Sequence, residues 1–141
     1  MSVMQNTHRY KLTRNSPHLW IEKFPWKKIS GHKYSRGRVV IYGGEKEYVG
    51  ATILSSLAAL KTGTGSVKII CNKGTIHTYS VKFPSVLKAE INNIHELKKF
   101  LNKEKITSIL IGPGAGSNDK TKEITKLILK KVKYVVLDAD A

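Results

Sequence analysis

From residue 38 onward the apolar positions change rhythm at regular intervals. Val39-Val40-Ile41-Tyr42 is a short β-branched run that reads as a buried strand. Gly43-Gly44 breaks it. Residues 51–60 are rich in Ala and Leu with a nearly continuous apolar face, which predicts a helix packed on a sheet. Gly63 and Gly65 end that helix, as glycines do at C-termini. Residues 67–71 form a second strand, and the helix between the two strands completes a βαβ unit. A turn follows at Asn72-Lys73-Gly74. Residues 76–81 fit neither period, and Pro84 interrupts the pattern before Val86-Leu87. Residues 94–101 return to helical spacing through Ile94, Leu97 and Leu101, with Phe100 beside them. Residues 106–111 read as a strand, 112–117 as a loop, and 119–131 as a helix with Ile124, Leu127 and Ile128 inward and lysines outward. A last apolar strand starts at Tyr134 and delivers Asp138 and Asp140.

Strands that alternate with helices of this length predict an α/β fold. The expected architecture is a doubly wound, mostly parallel sheet with flanking helices. There is no internal repeat, low-complexity tract or second domain, and the lack of sustained heptads excludes a coiled coil. Residues 1–30 follow neither period and are broken by Pro17 and Pro25. They predict an extended arm with one short helix, held to the body (residues 31–141) by Trp20, Phe24 and Trp26. The alternative is that Trp20 and Trp26 stack on bases.

Composition narrows the function. At 141 residues and 40% hydrophobic content the chain is one globular domain. A single cysteine, Cys71, forbids an internal disulfide and points to a reducing compartment; its place after Val67-Lys68-Ile69-Ile70 reads as a small buried residue closing a strand. No apolar run approaches the ~18 residues of a membrane span, and the N-terminus has no signal-peptide core, so the cytoplasm is expected. The net charge of +15 favours anionic partners. The basic residues are spread along the whole chain, as solvated helix faces would be, which counts against a nucleic-acid module.

Three segments can carry chemistry. Ile111-Gly112-Pro113-Gly114-Ala115-Gly116-Ser117 joins a strand to a helix. Its glycines let backbone approach a ligand, and the helix start offers N–H groups to an anion; Asn118 or Ser117 can cap that helix. A tight βα turn explains the same glycines. The spacing is not the dinucleotide fingerprint, so a dehydrogenase is not supported. The second segment runs from Gly43-Gly44 to Gly50-Ala51-Thr52 and fails the phosphate-loop pattern, because Ala51 stands where Lys is required. Its small residues at the helix start admit a flat ligand or a phosphate, or else serve close packing. The third is Asp138 and Asp140, two apart on a segment expected to be extended, hence pointing the same way, able to hold Mg²⁺ through water or to bond a sugar hydroxyl. Of the five histidines, His8, His18, His32, His77 and His95, no pair has metal-ligand spacing. His32-Lys33 precedes the first strand, where it can touch a phosphate.

Taken in order, these segments resemble the ATP- or ADP-dependent NAD(P)H-hydrate dehydratases, which have a ribokinase-like fold. The resemblance runs through His32-Lys33-Tyr34-Ser35-Arg36-Gly37-Arg38 to Gly43-Gly44, then Tyr48-Val49-Gly50-Ala51 and Ala58 to Val67. It continues through Ile111-Gly112-Pro113-Gly114-Ala115-Gly116 and Leu137-Asp138-Ala139-Asp140-Ala141. It implies repair of hydrated NADH or NADPH: the added hydroxyl is phosphorylated from ATP or ADP with Mg²⁺, and loss of phosphate restores the cofactor. It also implies that Gly50, Ala51, Gly112, Gly114 and Gly116 line the substrate site, with Asp138 and Asp140 at its rim near the phosphates. His32, Lys33, Gly43 and Gly44 are expected on the cofactor side.

The chain departs from that family in two ways. Tyr34 replaces the usual glycine after His-Lys. The family's later histidine-proline loop, lysine-glycine stretch and Gly-Ser-Gly-Asp segment, whose aspartate is the base, do not occur in these 141 residues. The resemblance therefore implies the N-terminal part of such a domain, inactive alone, with a second chain as one way to supply the other half. The alternatives are a non-catalytic basic nucleotide- or RNA-binding α/β module and a decayed remnant with a poorly covered final strand.

Overall fold

The computed structural model describes residues 13–24, 26 and 30–141. His8 and Pro25 lie outside the described residues. Five strands and four α-helices alternate: β1 (Arg38–Tyr42), α1 (Val49–Lys61), β2 (Ser66–Cys71), α2 (Ile76–Lys82), β3 (Leu87–Glu90), α3 (Ile94–Lys103), β4 (Ser108–Ile111), α4 (Asp119–Lys131) and β5 (Tyr134–Leu137). All four pairings are parallel, in the order β3-β2-β1-β4-β5. The chain builds outward from β1 to β3, returns through α3 to lay β4 on the other side of β1, and ends at β5.

The period of two along each strand sorts the core into two layers. Ile41, Val67, Ile69 and Cys71 pack with Tyr79 and Val86 on the side of α1 and α2. Val40, Ile70, Ile109 and Ile111 face Leu97, Leu101, Ile124 and Ile128 on the side of α3 and α4. Both faces of β1 are therefore buried, which is why it reads as an unbroken apolar run rather than an alternating one. α3 and α4 start where an asparagine caps them: Asn93 Oδ1 accepts from Glu96 N at 2.9 Å, and Asn118 Oδ1 from Thr121 N at 3.0 Å.

The structure corrects several expected boundaries. Residues 76–81, which show no clear period, form α2, because Tyr79 anchors the helix by being fully buried beneath the carboxyl edge of the sheet. Val86 is core, yet β3 begins only at Leu87 and runs on to Glu90. The strand expected at 106–111 is the shorter β4. The largest difference is α1. Its buried residues are Thr52 and Ser56, while Leu54 is 69% exposed. A helix that is apolar all round gives no indication of which stripe faces inward, and here two small hydroxyl residues allow the close approach to the sheet.

The arm, where described, holds two short 3₁₀ turns at Pro17–Leu19 and Ile21–Lys23 instead of one short helix. Its aromatics pack mainly on one another. Phe24 lies between Trp20 and Trp26, with ring centroids at 5.9 and 4.6 Å, and both tryptophans stay exposed.

Candidate functional site

In open parallel sheets a crevice forms outside the carboxyl ends of the strands, where the winding reverses. Here that point lies between β1 and β4, and the two glycine segments follow those two strands. They meet. Glu45 N donates to Gly114 O at 3.0 Å. Gly114, at φ 71°, leaves no room for a side chain: a Cβ there would lie 2.5 Å from Tyr48 Cβ. Gly44 is buried and held from both sides by side chains, its N–H donating to Thr52 Oγ1 at 2.9 Å and its carbonyl accepting from Tyr79 Oη at 3.4 Å. Thr52 and Tyr79 are positioning residues that sequence reasoning missed. A lone threonine in an Ala/Leu helix was a usable signal; Tyr79, in a segment without a period, gave none.

The third element is the turn after β5. Asp138 N donates to Ile111 O at 3.2 Å, extending the β4–β5 ladder by one bond. The chain then folds back. Ala139 has φ 47°, and Ala141 N donates to Asp138 O at 3.2 Å. This corrects the expected extended segment, so strand alternation does not align the two acids. Asp140 is half-buried and its Oδ2 accepts from Gly116 N at 3.0 Å, whereas Asp138 is exposed. Thr121 Oγ1 secures the same loop by donating to Ala115 O at 2.9 Å. An open groove of about 720 Å³ runs from Ser117 and Asn118 along α4 to Asp140, and the Thr125 hydroxyl beside it is buried without a partner.

Gly50 and Ala51 lie in the first turn of α1, exposed, with nothing within 4 Å of where a Gly50 side chain would start. No side chain caps this helix, in contrast to α3 and α4. The 3₁₀ turn Lys46–Tyr48 leads directly into it, and the exposed Gly50 leaves the first turn sterically open to a ligand. Gly43, Gly44, Gly50, Ala51, Gly112, Gly114, Gly116, Asp138 and Asp140 thus share the carboxyl edge. His32 and Lys33 do not join them. They lie before β1, at the amino edge, where His32 Nδ1 accepts from Tyr34 N at 3.4 Å and Lys33 O lies where a Gly65 side chain would have to go.

Burial raises the Tyr42 hydroxyl above its ordinary value, helped by nearby Glu45. Glu45 itself faces Lys120 at 3.9 Å across solvent, a pair of little energetic weight. Among the described residues no group of three or more His, Cys, Asp or Glu could hold a metal ion. Two aspartates fit Mg²⁺ only with phosphate oxygens and water completing its shell.

Fold and edge geometry together define a doubly wound α/β protein with its candidate site at the topological switch point, as in ribokinase-like proteins. A ribokinase-like superfamily protein from Enterococcus faecalis superimposes with a TM-score of 0.66 at 26% identity, covering 79% of this chain and 39% of that one. The family described as NAD(P)H-hydrate dehydratase matches residues 39–141, and the chain belongs to it. The bifunctional NAD(P)H-hydrate repair enzyme Nnr of Hyperthermus butylicus is 38% identical over 127 residues, 82% of this chain and 22% of that protein. The ADP/ATP-dependent NAD(P)H-hydrate dehydratase of Bacillus subtilis, co-crystallized with ATP/Mg²⁺, shares the fold with a TM-score of 0.71 over 86% of this chain and 46% of its own. The chain spans under half the length of these relatives.

Proposed function

We propose that this chain forms the substrate-side wall of a nucleotide-dependent NAD(P)H-hydrate repair site and that catalysis needs a further segment bearing the base. The observation that carries the reading is the meeting of three family segments at one edge: Gly44 and Glu45 against Gly114, Gly112 against Asp138, and Gly116 on Asp140. The substrate class is NADH or NADPH hydrate, and the phosphoryl donor is ATP or ADP with Mg²⁺.

In this reaction the substrate hydroxyl oxygen bonds to the terminal phosphorus as the bond to the leaving nucleotide breaks. Phosphate then departs with the carbon–oxygen bond, and loss of a proton restores the nicotinamide double bond. Phosphoryl transfer depends on positioning and charge stabilisation rather than covalent help from the protein. The residues here serve positioning. The glycine loops bring backbone close to a flat ligand, the open first turn of α1 at Gly50 leaves it room, and Asp140 holds the Gly116 turn. Asp138, unengaged, is the acid that a phosphate-bound Mg²⁺ would meet. A base within reach of the hydroxyl is not among these groups.

The completing segment would carry the Gly-Ser-Gly-Asp sequence, either in the same frame or on a second chain. No described helix is long and apolar enough to cross a membrane, and a single buried cysteine with no second one to pair with fits a reducing compartment such as the cytoplasm. The test is an assay of the purified chain with hydrated NADH or NADPH and ADP or ATP. No recovery of reduced-nicotinamide absorbance is expected from the chain alone, and recovery is expected once a polypeptide with the Gly-Ser-Gly-Asp segment of a relative is added. Turnover by the chain alone would refute the need for that segment, and no turnover in the mixture would refute the reading.

A further inference from the structure

The amino edge of the sheet, remote from the glycine loops, gathers residues that the linear sequence scatters. Two grooves of about 880 and 570 Å³ share Tyr34, Gly37 and Thr107 as walls and so form one open trough. Arg36 lines one half; Arg38, Lys103 and Lys105 line the other. Among the described residues the trough has one carboxylate, Glu104, and it is already engaged by Arg38 and by Lys68 Nζ at 2.7 Å. Arg36, Lys103 and Lys105 form no ion pair among the described residues, and Arg36 Nε is buried with no hydrogen-bond partner.

Aromatic rings stand beside these cations. Tyr34 is 65% exposed and Trp26, which lines the trough, is 61% exposed. The Trp26 indole N–H is taken by Ile21 O at 3.0 Å and Phe24 packs on the ring at 4.6 Å between centroids, so what the ring offers is its free face and not its donor. Lys33 Nζ lies 5.2 Å from the Tyr34 ring centroid. Lysines alone would mean only a solvated surface. Unpaired cations with exposed flat rings in one open trough match a chain of phosphates with stacking bases. A lone small molecule is normally enclosed, with most of its surface buried, and this trough is open. An anionic membrane is met by the broad apolar face of an amphipathic helix, which a trough lacks.

We propose that this trough binds single-stranded nucleic acid, with Arg36, Lys103 and Lys105 on phosphates and Trp26 and Tyr34 on bases. The site lies at the opposite edge of the sheet from the candidate repair site and does not depend on it.

The test uses the full chain and a labelled single-stranded RNA 16-mer, read by fluorescence anisotropy and by quenching of tryptophan emission. Three phosphate contacts imply that a fourfold rise in salt weakens binding about 20-fold. Tyr34→Ala should weaken binding about tenfold, the worth of one stacked base. Lys103→Glu with Lys105→Glu should abolish it, while Lys130→Glu with Lys131→Glu, an equal charge change on the exposed face of α4, should cost less than threefold. Melting curves of each variant verify folding, and Tyr34→Ala, at an exposed site, keeps the test decisive if the charge variant unfolds. The proposal is overturned by no binding of the unaltered chain, by equal losses in the two double variants, by equal affinity for duplex RNA or anionic vesicles, or by displacement of RNA with ADP.

Discussion

The carbonyl oxygen of Asp138 occupies the space that a side chain on Gly112 would need. Gly112 is buried and holds φ 133°, so backbone from the last turn presses directly onto backbone from the β4 loop. Two carboxyl-edge segments, the glycine loop and the acidic turn, are thus one mechanical unit.

Gly112→Ala should destabilise the chain by about 3 kcal/mol or more, since the backbone conformation and the overlap both oppose a methyl group. Gly50→Ala should be neutral or stabilising by up to about 1 kcal/mol, because the site is open and helical. Urea melts of both variants test this; a larger loss at Gly50 than at Gly112 would contradict the geometry.

Tyr79→Phe and Thr52→Val remove the two side-chain holds on Gly44. Thr52→Val should cost about 1–3 kcal/mol, as it leaves the buried Gly44 N–H without a partner. Tyr79→Phe should cost less, because its bond is long and Gly44 O keeps a second lone pair free. Hydrogen exchange at Gly44 should accelerate in Thr52→Val and stay near the native rate in Tyr79→Phe. Equal acceleration in both would show that the Thr52 bond is not what protects it.

Glu104 has its carboxyl held below the ordinary value of 4.5, chiefly by the hydrogen bond from Lys68, which outweighs the opposing effect of burial, with further help from the charges of Lys68 and Arg38. A depressed folded-state value means its stabilisation is fully present above the ordinary carboxyl range and fades as pH falls through the folded-state value. The stability difference between the native chain and Glu104→Gln should therefore be constant from pH 7 to about pH 5 and shrink at lower pH. A difference that grows on acidification would reverse the assignment.

Cys71 closes β2 with its thiol pushed up to about 11, first by burial and then by Glu90. The thiolate is the reactive form, so alkylation of the folded protein at pH 8 should be about 100-fold or more slower than in denaturant. Rapid labelling of the native chain would mean that β2 opens readily.

Much of the fold was legible along the chain because parallel strands buried on both faces are short apolar runs, and the helices α3 and α4 keep clean stripes with asparagine caps. The glycine segments were legible as loops after strands. What escaped was information that no local period contains. The inward stripe of α1 is set by Thr52 and Ser56, which look polar in sequence and are buried in the fold. The region of Asp138 to Ala141 looked like a continuing strand, yet it turns at Ala139.

The sequence by itself determined the alternation of elements, the family, and which segments can carry chemistry, since these depend on residue type and spacing between neighbours. The tertiary structure alone decided which segments meet. Parallel crossovers place every strand end on one edge, so Gly44, Gly114 and Asp140 converge, while His32 and Lys33, which precede β1, are carried to the other edge, where the adjacent Tyr34 shares a groove with Lys103 and Lys105. Such proximity comes from sheet order and strand direction, which arise from burying both faces of β1 and are invisible to any window along the chain.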